Sequence, residues 1–179
     1  ATMRPTHQAA TMGPILAIIG LGSIGQRHLR LIREIRPKLN ITLVRSGNGV
    51  SIENEKLADT VYYSLSEALD AGIEAAIVAT PSVYHVEQTI MLIRAGVHVL
   101  VEKPLSHSID NIDKLLNISK QSNIVALVGY CLRYDQAALK FKDMLNEKRI
   151  GEIIEVTIDC GSYLPDWRPN QNYRESVSA

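Results

Sequence analysis

Residues 15–25 read "ILAIIGLGSIG", an apolar run of five followed by three glycines spaced as GxGxxG. Ile15 to Ile19 is too short for a buried helix and has no polar face, so it reads as a strand covered on both sides. Gly20 permits a tight turn, Gly22 lets an anion approach the backbone, and Gly25 lets a following helix pack closely. Ser23 and Ile24 then open that helix, with its N-terminus toward the anion. The alternative is a glycine-rich turn that carries no ligand.

The same rhythm continues along the chain. Further short apolar runs occur at "ITLV" (41–44), "TVYY" (60–63), "AAIVAT" (75–80), "VHVLVE" (97–102) and "IVALVG" (124–129), and segments of helical period separate them. Alternation of this kind predicts an α/β fold, a Rossmann-type doubly wound parallel sheet. Ile24, His28, Leu31 and Ile35 recur at helical spacing before Pro37. Ser64 and Glu67 form a capping box ahead of a short helix stopped by Gly72, and Gly96 closes a helix that starts near Val83. A helix over 108–121 is expected to turn Ile109, Ile112, Leu115 and Leu116 inward. Another is expected to carry Ala137, Ala138, Phe141, Met144 and Leu145 on one face before Gly151. "GEIIEVTIDCG" (151–161) alternates instead, which predicts a strand of a new sheet. The expected organisation is a loose tail over 1–13, a dinucleotide-binding domain over 14–150, and the start of an α+β substrate domain over 151–179.

Bulk properties narrow the partners. Lysine plus arginine and aspartate plus glutamate both total 19 in 179 residues, so no net field favours nucleic acid or an anionic membrane. No apolar run approaches bilayer length, and the first residues lack a signal-peptide pattern. Cys131 and Cys160 stand far apart without metal-ligand spacing, so neither a metal site nor a disulfide framework is expected, and the cytoplasm fits.

The residue roughly 20 positions beyond the glycines is acidic in an NAD-binding unit, where it receives the ribose hydroxyls. Here it is Arg45, followed by Ser46. A guanidinium and a hydroxyl suit a 2′-phosphate and give no acceptor pair for a free diol, so NADP is favoured with NAD as the alternative. The competing reading makes Arg45 a solvated loop charge and Ser46 a turn former.

Between the fourth and fifth runs stands "ATPSVYHVEQTIMLIRAGVHVLVEKPLS" (79–106), and "GYCLRY" follows at 129–134. The TPxxxH, AGxHVxxEKP and GYCLRY elements, in this order after the glycine motif, resemble the glucose-fructose oxidoreductase, inositol dehydrogenase and rhizopine-catabolism family (Gfo/Idh/MocA). The resemblance covers residues 14 to about 170. It implies an enzyme that uses NAD or NADP to oxidise or reduce a hydroxyl or keto group of a sugar, cyclitol or sugar derivative.

The resemblance makes Lys103 the catalytic residue, and the chemistry agrees. Loss of hydride from a secondary alcohol leaves a carbonyl only when the hydroxyl proton also departs, so a proton-relaying group must stand beside that oxygen. Glu102 resembles a residue on the nicotinamide side of the cofactor, and Pro104 limits the conformations of Lys103. Thr80 and Pro81 close a strand at the edge where cofactors lie. His85 matches a family histidine, as ligand or as internal hydrogen-bonding group. Arg133 belongs to the GYCLRY segment, in which Cys131 stands where many relatives have asparagine and reads as packing. Trp167 and Arg168 resemble a pair near the cofactor in relatives, or else an anchored tryptophan beside a surface arginine.

The family's aspartate and histidine partners for the lysine come from a segment beyond "YRESVSA". This chain is therefore expected to be a fragment that binds cofactor without turnover. A homo-oligomer is expected as well, through an exposed edge over 152–160. A non-catalytic dinucleotide-binding sensor or partner subunit is the alternative function. A methyltransferase with the same opening is disfavoured, because the basic Arg45 and the EKP element have no role in that chemistry.

Overall fold

A computed structural model describes residues 13–47, 53–161, 163, 166 and 172. The six apolar runs form one parallel sheet of strands β1 (Ile15–Ile19), β2 (Asn40–Val44), β3 (Thr60–Tyr62), β4 (Ala75–Val78), β5 (His98–Val101) and β6 (Ala126–Val128), in the order β3-β2-β1-β4-β5-β6. Helices α1 (Ser23–Ile35), α2 (Leu65–Asp70), α3 (His85–Arg94) and α4 (Ile112–Gln121) make the crossovers, and α5 (Gln136–Asn146) follows β6. In register, Ile15 faces Asn40 and Leu16 faces Ala75, so β1 is central.

The apolar runs are continuous because both faces are covered. Ala17 and Ile19 of β1 join a core with Val78, Val99, Ile90, Leu92 and Leu115, whereas Ile18 joins Leu29, Ile41 and Leu43. Pleating sends alternate residues of one strand to opposite layers, and each layer of helices supplies the apolar surface to meet them. At the end opposite the glycine turn, Arg33 donates to the carbonyls of Leu57, Pro37 and Leu39 and to Asp59 at 2.9 Å. Asp59 also accepts from the Ile41 amide at 2.8 Å. That amide, with the Arg33 guanidinium in second place, holds the Asp59 carboxyl below its ordinary range against the opposing effect of burial.

The capping box forms as expected. Ser64 Oγ accepts from the Glu67 amide at 3.2 Å, and Glu67 Oε2 accepts from the Ser64 amide at 3.2 Å. Two helices are rotated relative to the stripes expected of them. On α1 the inward residues are Gly25, Leu29 and Ile32, while Leu31 and Ile35 are exposed, Ile35 to 67%. The close approach of Gly25 to the glycine turn sets that phase. On α4, Leu115 is buried with Ile112 and Ile118 beside it, whereas Leu116 is exposed and Ile109, ahead of the helix, is 90% exposed.

By internal contacts the chain divides into two compact units, the first ending at Tyr130 and the second beginning at Cys131. The boundary thus falls ahead of α5 and not at Gly151. Within the second unit, Asp135 caps α5 by accepting from the Ala138 amide at 2.9 Å, and Phe141 stays exposed. The strand expected over 152–160 is absent: these residues are irregular and exposed. A strand persists only when a neighbour satisfies its backbone groups, and no described segment pairs with this one, so the edge proposed for self-association is missing too. Cys131 and Cys160 are both free and exposed, so Cys131 does not serve packing. No helix among the described residues is long and apolar enough to cross a membrane.

Candidate functional site

Every sequence motif of the first unit reaches the carboxyl rim of the sheet, and the backbone ladder runs on past the strands to hold them there. Gly20 N donates to Val44 O at 2.9 Å, Arg45 N to Tyr62 O at 2.9 Å and Ala79 N to Ile19 O at 2.8 Å. Glu102 N donates to Val78 O at 2.9 Å and Gly129 N to Val101 O at 2.8 Å. Chain connections diverge on either side of the β1/β4 junction, so the rim opens into a crevice there.

The glycine turn fits a dinucleotide pyrophosphate. Gly20 has φ +90° and approaches so closely that an added Cβ would stand 2.9 Å from Ala79 O. At Gly25 an added Cβ would stand 2.1 Å from Gly20 O, so helix and turn touch through backbone. Gly22 is different: nothing lies within 4 Å of where its Cβ would be. That space lies before α1, whose first turn has no side-chain cap and no acidic residue to compete with an anion. Ser23 is exposed beside it and Ile24 is half-buried.

Glu102 and Lys103 leave β5 together. The Glu102 carboxylate turns inward, accepts from His28 Nε2 at 2.8 Å and from the Lys103 amide at 3.2 Å, and would lie 3.4 Å from a Cβ at Gly129. It therefore ties α1 to the end of β5, close beside the residue that follows β6. Lys103 is exposed, and no described carboxylate pairs with its ammonium. The Lys103–Pro104 peptide bond is cis.

His85 is not offered to a ligand. Its ring is buried to 2% exposure, with Nδ1 2.8 Å from Pro104 O and Nε2 2.7 Å from Thr80 O. Both partners are carbonyl oxygens, which only accept, so every N–H of the ring is engaged by these two loops. This corrects its place among the cofactor ligands: it joins the loop after β4 to the loop after β5. The Thr80 hydroxyl donates to Gln88 Oε1 at 2.7 Å, and Pro81 is exposed at the rim.

Arg45 is also not the open charge its position suggests. It pairs with Glu55 from the 3-10 helix Glu53–Leu57, and the two side chains are only 10% and 17% exposed. Asn54 of that short helix donates to Gln26 Oε1 at 2.9 Å and so fastens it to α1. Ser46 is exposed. Arg133 is exposed on the 3-10 helix Cys131–Tyr134 of the second unit, and Trp167 and Arg168 lie outside the described residues. Sequence reasoning missed His28, Glu55 and Gln88 as partners. Of these only His28 had a local signal, one helical turn beyond the glycines.

The strand order and the glycine turn at the switch point define a Rossmann-type nucleotide-binding domain. The chain belongs to the Gfo/Idh/MocA family, described as an oxidoreductase family with an NAD-binding Rossmann fold, which matches residues 16–130. Among its relatives, the 2,7-anhydro-N-acetylneuraminate hydratase of Mediterraneibacter gnavus is 26% identical over 160 residues, covering 87% of this chain and 40% of that protein. The scyllo-inositol 2-dehydrogenase (NADP(+)) of Bacillus subtilis is 24% identical over 161 residues, covering 87% and 45%. The crystal structure of myo-inositol 2-dehydrogenase from Lactobacillus plantarum superposes with a TM-score of 0.71 at 27% identity, covering 79% of this chain and 44% of that one. The chain spans less than half the length of these relatives.

Proposed function

We propose that this chain is the nucleotide-binding part of an NAD(P)-dependent oxidoreductase, with NADP favoured, acting on a hydroxyl or keto group of a sugar, cyclitol or sugar derivative. The observation that carries the reading is the convergence, on one rim of the sheet, of the open glycine turn and of Lys103, which no described carboxylate pairs. Relatives named for the dehydrogenation of inositols and the reduction of 1,5-anhydro-D-fructose support the substrate class. A relative named as a hydratase indicates that the nucleotide half alone does not dictate the net reaction.

The residues divide the work. Gly20, Gly22, Ser23, Ile24 and Gly25 receive the pyrophosphate on backbone amides, and Arg45 with Ser46 receives the adenosine 2′-phosphate. Thr80 and Pro81 border the nicotinamide ribose, and Glu102, fixed by His28, stands on the nicotinamide side. The bound nucleotide supplies hydride donor and acceptor capacity. Lys103 holds the substrate oxygen: as ammonium it stabilises negative charge growing there, and it relays the hydroxyl proton. It is exposed, and no described carboxylate competes for its ammonium.

Fluorescence titration tests the nucleotide half directly. The 179-residue chain should bind NADPH more tightly than NADH, and Arg45→Ala should cost about 1.5–3 kcal/mol of NADPH affinity, the range for a lost hydrogen bond to a charged group. NADH binding should be nearly unchanged. No turnover is expected with sugars, cyclitols or their keto forms, and robust turnover would place the active site elsewhere.

A further inference from the structure

We infer that Glu55 sets the nucleotide selectivity of this domain, by competing with the adenosine 2′-phosphate for Arg45. The inference rests on the NADP reading above and deepens it by naming the group that limits the preference.

The rim beyond β2 has a base where an NAD-binding unit has an acid, yet the base is not presented bare. The Glu55 carboxylate already accepts from Arg45 Nη1, and the two side chains are 10% and 17% exposed, so water does little to weaken the pair. Glu55 is held in place from a second direction. Its neighbour Asn54 donates to Gln26 in the first turn of α1, and Gln26 in turn donates to Leu21 O of the glycine turn at 3.4 Å. The short helix that carries Glu55 is thus fastened to the element that faces the pyrophosphate, and the carboxylate stays with Arg45 when a nucleotide enters.

A phosphate dianion and a carboxylate then seek the same guanidinium. They are both acceptors and both negative, so a 2′-phosphate on Arg45 meets a like charge a few ångströms away as well as its counter-ion. A free 2′-hydroxyl meets no such conflict, because it can donate to the carboxylate. Glu55 therefore penalises NADP more than NAD. The net preference is the difference between what Arg45 adds and what Glu55 subtracts. The acid missing from the end of β2 is in effect supplied from the side, by a residue ten positions further on.

Glu55→Gln removes the charge and keeps the shape. Kd values for NADPH and NADH are measured by fluorescence titration on the wild type, Glu55→Gln and Arg45→Ala, with thermal melts to verify folding. Glu55→Gln should tighten NADPH about tenfold and leave NADH within about threefold, the size of a single unfavourable charge relieved. An unchanged ratio of the two affinities, in a variant that melts like the wild type, overturns the role of Glu55. If Glu55→Gln does not fold, Glu55→Asp keeps the charge but draws it back by one methylene; it should shift the ratio the same way by less, and no shift there overturns the inference equally. The arms separate the two ideas. If Arg45→Ala leaves NADPH affinity intact, the NADP reading fails and takes the role of Glu55 with it. If Arg45→Ala weakens NADPH while Glu55→Gln leaves the ratio unmoved, the role of Glu55 alone fails.

Discussion

Two glycines of one motif should fail in opposite ways when substituted. In Gly25→Ala the new Cβ would stand 2.1 Å from Gly20 O and 3.6 Å from Ala79 Cβ, where ordinary contact begins near 3.4 Å. The obstacle is backbone, which cannot swing aside, so α1 must retreat from the turn by roughly 1 Å, and overpacking of that kind costs about 1–3 kcal/mol. The upper end applies here, because Leu29 and Ile32 on the same face would lose their seats against Ile18 and Leu43. About 3 kcal/mol in a domain of this size lowers Tm by roughly 8–15 °C. Gly22→Val meets nothing within 4 Å, and Gly22 has φ −68° and ψ −173°, extended backbone that valine adopts freely. That variant should melt like the wild type and lose NADPH, since its side chain fills the space the pyrophosphate needs. Thermal melts followed by far-UV circular dichroism, paired with NADPH titration, read both effects. A Gly25→Ala protein with wild-type Tm would refute the packing argument. Unchanged NADPH affinity in Gly22→Val would show that the nucleotide does not lie over this turn.

For the oxidoreductase proposed above, Lys103→Ala should lower turnover by roughly 10²–10⁴ with NADPH affinity little changed, because proton transfer matters mainly in the transition state; steady-state kinetics with parallel titration will show whether the two separate. His85→Leu should cost about 1–3 kcal/mol, because it removes the ring that bridges the Thr80 and Pro104 carbonyls and leaves a buried acceptor without its donor, and a chemical denaturation midpoint measures it. Asp59 has its folded-state pKa lowered, so its contribution to stability is complete above the ordinary aspartate range and fades as pH falls through the lowered value. The stability gap between wild type and Asp59→Asn should accordingly be widest near neutrality and narrow as pH falls through the lowered value, as urea denaturation at several pH values would record.

All six strands were legible because burial on both faces writes itself locally, as runs such as "AAIVAT" bounded by turn residues. The capping box was legible for the same reason, since Ser64 and Glu67 are three residues apart. The phase of α1 was not. Its sequence offers Leu31 and Ile35 as readily as Leu29 and Ile32, and the choice is made by the contact between Gly25 and Gly20. Alternation over 152–160 was a sound strand pattern, but no described segment pairs with it. At the site, the motifs marked which residues come to the rim but not whom they meet. Glu102 finds His28 across 74 positions, and Glu55 finds Arg45 through a fold in the chain. Charge pairs of this kind depend on tertiary approach and leave no periodic trace.

The central place of β1 bears on how the molecule assembles during synthesis. Of the six strands this one is made first, yet its two neighbours arrive at different times: Ile15 can meet Asn40 early, whereas Leu16 waits for Ala75. Until then one edge of β1 is open, and the residues that will line the crevice face no opposing strand. The β1/β4 seam requires a larger loop closure, with a larger entropic cost, than either the β1/β2 or the β4/β5 pairing. The nucleotide crevice is therefore the seam at which an early half and a late half of the nascent chain meet.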